Sequence, residues 1–249
     1  MSDREIFAHA PIQEAVLDIR VELTEELAVP DLDSAFHALI RDRFPKSVRR
    51  NEWQLQFEVD EHGHPHDVAS SEGAQGFLYR SIDESKIVQA RLNGFAFSKL
   101  RPYETWEGFC GEAQELWATY QKVAQPKRVT RLALRYINRI ELPLPLADLK
   151  EYILTVPEIA PALPQALATF LTRLVIPDTE SDSVVIITET VPQSNEPSTV
   201  SFIFDIDAYK VVELRPESDQ LWDVFETLHE VKNRFFFGSI TEKAKELFR

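Results

Sequence analysis

The sequence predicts an α+β fold that arose by internal duplication, and two echoes within the chain support this prediction. The phrase Leu-Arg-Pro, followed by Trp-x-x-Phe, occurs at residues 100–109 and again at residues 214–225, so the two leucines lie 214 − 100 = 114 positions apart. A strand-like segment at residues 19–23 is echoed at residues 138–142, with an offset of 139 − 20 = 119. Because both offsets are close to half of the 249 residues, we expect one supersecondary unit to be present twice.

Each half of the chain is predicted to follow the order strand, helix, strands, helix. The first α+β repeat spans residues 1–125 and the second spans residues 126–249, with the joint at 125–127. No Gly/Ser-rich linker separates the repeats, and the chain contains only 7 glycines, so we expect one continuous body. The antiparallel-rich sheets of the two repeats should join edge to edge, with the long helices packed on one face.

In the first repeat, alternation with period two predicts strands, and apolar residues spaced by three or four predict helices. Residues 15–23 and 53–59 alternate between apolar and polar side chains, which is typical of half-buried strands. A helix is expected to begin at Asp31, as its N-cap, and to end before Pro45. The remaining predicted elements are a polar loop at 60–76, strands at 77–82 and 87–97, and a long amphipathic helix from Pro102 through Tyr120.

The second repeat is predicted to begin with a strand at residues 131–142, which the following prolines interrupt. A helix is expected further on because Leu163, Leu167, Phe170, Leu171 and Leu174 recur at helical spacing. The other predicted elements are a short helix near 149–154, strands at 184–191, 200–207 and 211–214, a helix with an apolar stripe from Leu221 to Phe235 that ends at Gly238, and a terminal helix with a capping box at 239–242.

Composition indicates a globular protein and disfavours several classes of partner. Apolar residues make up 44% and charged residues 27%, and no apolar run approaches the roughly 20 residues of a membrane span. The net charge of −14 repels nucleic-acid phosphates and anionic lipid, so neither is an expected partner. A single cysteine, Cys110, and a first segment without secretory character lead us to expect a cytoplasmic protein.

Three arginines on the predicted central strand are the candidate ligand-binding residues. Arg131, Arg135 and Arg139 are spaced by four, so their side chains should point to the same face of the sheet. One interpretation is an anion- or nucleotide-binding face, because guanidinium forks suit oxyanions. The other interpretation is a cross-strand ladder of ion pairs with Asp18, Glu22 and Glu141.

Other candidate sites carry simpler interpretations, and we predict no catalytic residue, metal or cofactor from them. His62, His64 and His66 lack the spacing of a zinc site, and Cys110 and His229 lie in or beside apolar helical stripes. No phosphate-binding glycine loop occurs. Asp205 with Asp207, and Trp106 with Trp222, are interpreted as an outward polar strand face and as core anchors, respectively.

Three segments resemble a sporadically distributed bacterial family of uncharacterised proteins. They are Pro-Ile-Gln-Glu-Ala-Val-Leu-Asp-Ile at residues 11–19, Arg-Tyr-Ile-Asn-Arg-Ile-Glu at residues 135–141, and the Phe-to-Ile-Thr tail at residues 235–241. The resemblance implies a bacterial origin and the patchy distribution of genes found in mobile or defence islands. It implies no activity and no site residues.

Together these features lead to the hypothesis of a binding or regulatory protein without catalysis of its own. The absence of a catalytic motif, the duplicated scaffold and the acidic composition favour contacts with another protein or with a second copy of the chain. Through the resemblance alone, we also expect a link to a defence or toxin-neutralising system. The alternative hypothesis is an anion- or nucleotide-binding protein, with or without enzymatic activity, that uses the face lined by the three arginines.

Overall fold

A computed structural model describes residues 7, 9–24, 27–59, 65–165, 167–192 and 198–249, and for residues 50–59 and 65–75 it describes the backbone alone. The strands are β1 (Ile12–Leu23), β2 (Lys46–Val59), β3 (Pro65–Arg80), β4 (Lys86–Arg91), β5 (Gly94–Leu100), β6 (Pro126–Pro143), β7 (Phe170–Asp178), β8 (Ser183–Val191) and β9 (Thr199–Leu214). The helices are α1 (Val29–Ile40), α2 (Trp106–Ala124), α3 (Gln220–Ser239) and the short α4 (Glu242–Glu246). None of these helices combines the length and apolar character that crossing a membrane requires.

The fold is α+β, as the sequence predicts, and its centre is one antiparallel sheet. The nine described strands pair in the order β2-β3-β4-β5-β1-β6-β9-β8-β7. Strands β1 and β6 pair with each other in the middle, so strands from both halves of the chain belong to a single sheet. Outward from this central pair, the order is β5, β4, β3 on one side and β9, β8, β7 on the other.

The helices α1, α2 and α3 pack on one face of this sheet and bury the main core. Helix α1 contacts β3 and β4, α2 contacts β5, and α3 contacts β6 and β9. Aromatic rings join the layers: Phe97 stacks on Phe109 of α2 at 5.3 Å, and Phe204 stacks on Phe236 of α3 at 6.0 Å between ring centroids. Large apolar side chains on this face therefore hold the helices in place through burial from water.

The predicted helix through residues 163–174 is wrong, because the second part of this segment forms the edge strand β7. From Phe170 to Asp178 the side chains alternate between half-buried and exposed, and every residue of the strand is in register with β8. The spacing of the leucines in this segment fits a helix when it is considered alone. Prolines at 157, 161 and 164 and the β-branched residues 175 and 176 oppose that conformation.

Several predicted boundaries also differ from the structure. The predicted loop at 60–76 overlaps β3, which begins at Pro65, while residues 60–64 lie outside the described part. The single strand predicted at 87–97 is a hairpin of β4 and β5. Helix α1 begins at Val29, so Asp31 lies in its first turn rather than at the N-cap. Gly238 lies inside α3, and Thr241 instead of Ser239 caps α4 by accepting from the Ala244 amide.

The connection between β6 and β7, residues 144–169, differs from the connection between β1 and β2. Between β1 and β2 the chain forms helix α1, which packs on the sheet through Leu32, Phe36 and Ile40. Residues 144–169, named the strap from here on, instead contain one 3-10 turn at Leu149–Glu151 as their only helical element among the described residues. The short helix predicted near 149–154 is therefore this single turn.

Candidate functional site

The three predicted arginines lie on the face of the sheet opposite the helices. On β6, Leu132, Leu134 and Tyr136 are buried under the helix layer, so residues that alternate with them point the other way. No helix in the described part of the chain packs on that side. We call the outward side chains of β1, β4 and β6 to β9 the helix-free face; it contains Arg131, Arg135 and Arg139.

Arg135 forms the best-defined ion pair of this face. Strands β6 and β9 are neighbours, and their register places Asp205 opposite Ile137. Ile137 is the next residue after Arg135 on the same face of β6. Arg135 Nε donates to Asp205 Oδ1 at 2.8 Å, and its terminal nitrogen donates to Oδ2 at 2.6 Å. The hydrogen bonds to Asp205 raise the pKa of Arg135 above its usual value, against the effect of burial. The fork of this guanidinium is thus occupied by a carboxylate of the chain itself.

Arg139 is bound on its own strand and on the neighbouring one. Its Nε donates to Glu141 Oε1 at 2.5 Å, and a terminal nitrogen donates to Ser201 Oγ on β9 at 2.9 Å. The Ser201 hydroxyl in turn lies 3.0 Å from Glu141 Oε2 and donates to it. These three residues form a closed hydrogen-bonded group at one end of the arginine row.

Arg131 is held more loosely than the other two arginines. Its terminal nitrogens lie 3.6 Å from Asp18 Oδ1 and 3.7 Å from Asp207 Oδ2, beyond ordinary hydrogen-bond distance. The guanidinium carbon sits 4.3 Å from the centre of the Tyr209 ring, a cation–π contact. Burial raises the pKa of Asp207, although Arg131 and Arg135 act in the opposite direction. Of the three predicted residues, Arg131 therefore has the weakest pairing with carboxylates, although its side chain is less exposed than those of Arg135 and Arg139.

Asp18 joins strands β1, β4 and β6 at the centre of the face. In addition to its ion pair with Arg131, Asp18 accepts hydrogen bonds from Arg20 Nε at 3.2 Å and from a terminal nitrogen of the buried Arg91. The neighbouring Gly94 is required by this arrangement, because a Cβ there would lie 2.3 Å from the Ile19 carbonyl oxygen. Its φ of +157° adds to this preference for glycine.

The observed partners agree in part with the ladder of ion pairs that the sequence predicts. Asp18 and Glu141 contact predicted arginines, whereas Glu22 pairs with Arg128 at 2.8 Å. Sequence reasoning did not identify Asp205 as the partner of Arg135. The alternation of Asp205 and Asp207 was visible, but only the pairing of β6 with β9 brings them beside the arginines.

Charges on the helix-free face balance, although the whole chain carries −14. Seven arginines lie among seven carboxylates: Arg20, Arg91, Arg128, Arg131, Arg135, Arg139 and Arg173 with Glu14, Asp18, Glu22, Glu141, Asp205, Asp207 and Glu213. The same face also exposes large aliphatic side chains to water: Leu171 is 73%, Val175 52% and Val211 74% exposed. The acidic excess of the protein therefore lies elsewhere, and this face combines paired charges with apolar surface.

On the helix side, Cys110 and His229 both have the surroundings of core residues. Burial raises the pKa of Cys110 to about 11, so the thiol remains protonated at neutral pH. His229 stacks on Trp106 with 4.4 Å between ring centroids, and the Trp106 indole donates to Glu226 at 2.7 Å. These contacts fix helix α3 against the start of α2, in agreement with the expected role of Trp106 as a core anchor.

Lys232 of α3 is the other unusual titratable group of the core. It is 7% exposed, and its Nζ donates to Asn233 Oδ1 at 2.6 Å and lies 3.9 Å from the centre of the Tyr136 ring. Burial lowers its pKa to about 7. The Tyr136 hydroxyl is 2.8 Å from that of Tyr103. Sequence reasoning missed this group, because Lys232 follows the buried Val231 and the helical period alone does not assign it to the core.

The predicted histidine cluster can be followed only in part. His62 and His64 lie outside the described residues, and for His66 the structure describes the backbone alone. Among the residues whose side chains are described, no group of three or more histidine, cysteine, aspartate and glutamate residues is arranged to hold a metal ion.

Comparison with known proteins assigns no relative to the chain. A scan against models of protein families found no matching family, and a search of curated proteins found no match.

Proposed function

We propose that the chain is a non-catalytic docking module that binds a protein, either a partner or a second copy of itself, on its helix-free face. One observation carries the proposal: this face is charge-balanced, no helix of the described part of the chain packs on it, and it exposes Leu171, Val175 and Val211 to water. Apolar surface that is shared by several side chains of one face is a feature of surfaces that another molecule covers, whereas a single exposed aliphatic residue is ordinary. Arginine is also enriched at protein interfaces, where its fork and its planar face both make contacts.

Paired charges make this face suitable for burial. An isolated charge loses its hydration when a partner covers it, whereas Arg135 and Asp205 already satisfy each other across two hydrogen bonds. The zero net charge of the face also removes most of the local repulsion that a chain of −14 would present to an acidic partner. Six strand spacings by ten residues of β6 give an area of about 900 Å², which matches the roughly 800 Å² per partner of a standard interface.

The alternative, an anion- or nucleotide-binding face, depends on Arg131. Arg131 lies 3.6 and 3.7 Å from two carboxylates, so its N–H groups can still donate to a phosphate. The face of its guanidinium contacts the Tyr209 ring. Arg135 and Arg139 would have to release their own carboxylates first. If ATP or inorganic phosphate raises the melting temperature of the wild type and not that of a variant with Arg131, Arg135 and Arg139 changed to Gln, this alternative replaces the docking proposal.

We also propose that residues 1–125 and 126–249 are copies of one ancestral unit. The orders β1-β5-β4-β3 and β6-β9-β8-β7 support this proposal, as does a helix after the last strand of each half. The offset of 119 residues favours a common origin, because this offset relates Ile19 to Asn138 and both side chains face the helices. The Leu-Arg-Pro echo does not support the proposal, because its two leucines do not occupy equivalent positions. Leu100 lies opposite Glu14 on the helix-free face, whereas Leu214 lies opposite the buried Val129.

The setting of the protein follows from the resemblance and the composition. We infer a bacterial, cytoplasmic protein, and the resemblance suggests a partner from a defence or toxin-neutralising system. Nucleic acid is not an expected partner of a chain with net charge −14.

The docking proposal is tested by affinity capture from bacterial extract, with quantitative mass spectrometry of the retained proteins and of a second, differently tagged copy. The test variant changes Leu171 and Val211 to Glu on the helix-free face. The matched control changes Leu39 and Ile82 to Glu, because these aliphatic residues are comparably exposed and do not belong to the strands of that face. We expect the control to retain every protein that the wild type retains, and the test variant to lose at least one by tenfold or more. Equal retention by all three proteins would disprove the proposal.

A further inference from the structure

Strand β7 forms one edge of the sheet, and its outer side has no partner strand in the described part of the chain. All nine of its residues are in register with β8. Every second residue of an antiparallel strand turns its N–H and C=O groups away from the neighbouring strand. No backbone hydrogen bond among the described residues reaches these outward groups of β7. An edge of this kind is a template on which a further strand can pair.

The outward backbone groups belong to the odd-numbered residues of β7. The Phe170 carbonyl oxygen accepts from a threonine hydroxyl of β8 at 2.6 Å, so Phe170 directs its backbone towards β8. The alternation then turns the N–H groups of Leu171, Arg173 and Val175 away from the sheet. Pro177 fits the same phase, because its missing N–H would otherwise interrupt the ladder to β8. The edge therefore presents three N–H donors together with the carbonyl oxygens of the same residues.

The first half of the chain contains a strand in the place that is open beside β7. Counted outward from the central pair, β3 is the fourth strand on its side and β7 is the fourth strand on the other. Strand β3 is covered by the antiparallel β2, whereas no further strand pairs with β7 in the described part. The strap takes the place of α1 and β2 in the chain order, and its described residues contribute no strand. The sheet thus ends one strand earlier on the β7 side.

The two edges of the sheet differ in the features that prevent further pairing. The opposite edge, β2, begins with the basic residues Lys46, Arg49 and Arg50, and its register with β3 is irregular after Arg50. Charged residues and bulges of this kind protect an edge. In β7 the register with β8 is regular, and Arg173 is the single charged residue at an outward position. Pro177 lies next to the end of β7, so it leaves most of this edge available.

Strand β7 is complementary to a second copy of itself. When two β7 strands pair antiparallel about a twofold axis at Leu174, each outward N–H meets a carbonyl oxygen of the other copy, which gives about six hydrogen bonds. Arg173 then lies opposite Val175, and Leu171 lies opposite Pro177, so like charges do not face each other. A pairing centred on Arg173 would instead place two guanidiniums opposite each other.

Burial and charge favour the same occupant. Leu174 and Ile176 on the helix side of β7 are only half-buried, and a second β7 would cover them further. The strand contains one arginine and one aspartate, so this edge is neutral although each copy carries a net charge of −14. Electrostatic repulsion between two acidic copies is therefore weak at this edge.

From the uncovered edge and its self-complementary register, we propose that two copies of the chain pair through β7 and form one continuous antiparallel sheet. The twofold axis is perpendicular to the sheet, so both helix layers lie on one side and the two helix-free faces join on the other. Closed twofold dimers are the commonest protein assemblies. The inference goes beyond the docking function, because the pairing uses the backbone of β7 and leaves the helix-free face of both copies open.

Arg173→Pro and Arg173→Ala are the matched variants that test the pairing. Both remove the guanidinium, but only proline removes the outward N–H and places a ring at the edge. Analytical ultracentrifugation of the full chain compares both variants with the wild type across micromolar concentrations. We expect the wild type and Arg173→Ala to be dimers, and Arg173→Pro to dimerise at least tenfold more weakly. Neither variant changes Leu171 or Val211, so the capture experiment remains a separate test of docking.

Cysteine cross-linking tests the register, and it decides the proposal even if Arg173→Pro does not fold. In the proposed pairing the two copies of residue 174 lie about 4.5 Å apart between Cα atoms, a distance that a disulfide spans. Leu174→Cys should therefore give a disulfide-linked dimer after oxidation with diamide. Ile176→Cys lies on the same face but about 14 Å from its counterpart, so it should not cross-link. The wild type, with its buried Cys110, is the control.

Three results would overturn the proposal. The first is a wild type that stays monomeric across the concentration range. The second is a folded Arg173→Pro that dimerises as tightly as Arg173→Ala. The third is a cross-link that forms as readily through Ile176→Cys as through Leu174→Cys.

Discussion

At the level of single residues, Arg135 and Asp205 form a pair whose two members differ in exposure. The side chain of Arg135 is about half exposed, while that of Asp205 is nearly buried. Removing one partner of such a pair costs most when the residue left behind is the buried one, because its charge loses both water and its partner.

We therefore predict that Arg135→Gln destabilises the protein by roughly 2 kcal/mol and that Asp205→Asn costs about half as much. Urea denaturation of both variants and the wild type at pH 7 measures the difference. Equal losses, or a larger loss for Asp205→Asn, would show that the pair is more exposed in solution than in the structure.

Lys232 should make stability depend on pH above neutrality. Burial lowers its pKa from 10.5 to about 7, while the Tyr136 ring only weakly favours the charged form. Between pH 7 and pH 10.5 the unfolded state binds a proton that the folded state lacks, so the free energy of unfolding rises with pH across this window. Below pH 7 the folded state carries the full cost of the buried charge.

Lys232→Met removes this cost, and we predict a gain of roughly 2 kcal/mol at pH 6 that shrinks towards pH 10. Denaturation of both proteins across this pH range measures the gain. A loss of stability at pH 6, or a gain that does not change with pH, would contradict the assignment of Lys232 to the core.

Glu189 should produce the opposite slope at lower pH. Burial raises its pKa from 4.5 to about 7, so between these values the unfolded state loses a proton that the folded state keeps. The free energy of unfolding therefore falls as pH rises from 4.5 to 7 and remains low above pH 7. For Glu189→Gln we predict a gain of roughly 1 to 2 kcal/mol at pH 8 and little change at pH 4. Parallel pH profiles for the two proteins would be inconsistent with a buried, unpartnered Glu189.

At the level of elements, the hairpin of β4 and β5 depends on a glycine that has no room for a side chain. A Cβ on Gly94 would lie 2.3 Å from the Ile19 carbonyl oxygen of β1, whereas a Cβ on Gly111 of α2 would meet nothing within 4 Å. These two glycines are therefore a matched pair for one substitution.

We predict that Gly94→Ala costs about 3 kcal/mol or more because β5 must move away from β1, while Gly111→Ala stabilises by up to about 1 kcal/mol. Thermal denaturation followed by circular dichroism compares the two variants with the wild type. Similar melting temperatures for both variants would show that β1 and β5 are not packed as described.

The same scale shows which elements the sequence predicts and which it does not. The stripe of α2 was clear because Trp106, Phe109 and Ala113 recur at helical spacing, and all three are buried. Strand β7 was missed because Leu167, Leu171 and Leu174 also fit a helix, and the deciding interaction is its pairing with β8. Local spacing therefore identifies elements that bury one face, but not an edge strand whose partner is distant in the sequence.

The site was predictable to a similar extent. Four-residue spacing correctly assigns Arg131, Arg135 and Arg139 to one side of a single strand. Their environment depends on strand order, which brings Asp205 of β9 and Asp18 of β1 to either side of β6.

At the level of the whole molecule, the two sides of the sheet differ in composition and burial. One side of the sheet is buried by α1, α2 and α3 and supplies the stability of the fold. The other side carries balanced charges and exposed aliphatic residues, although the chain as a whole has a charge of −14. Its balanced charges distinguish this surface from the rest of the acidic protein, and the docking proposal rests on that difference.

The most direct test of this account is hydroxyl-radical footprinting of the protein, alone and in the complex isolated from extract. The side-chain oxidation rates of Leu171, Val175 and Val211 report the helix-free face, and those of Leu39 and Ile82 report the surface away from it. We predict that complex formation slows oxidation of the first three severalfold and leaves the other two unchanged. Unchanged rates at Leu171, Val175 and Val211, with protection of Leu39 or Ile82, would contradict the account.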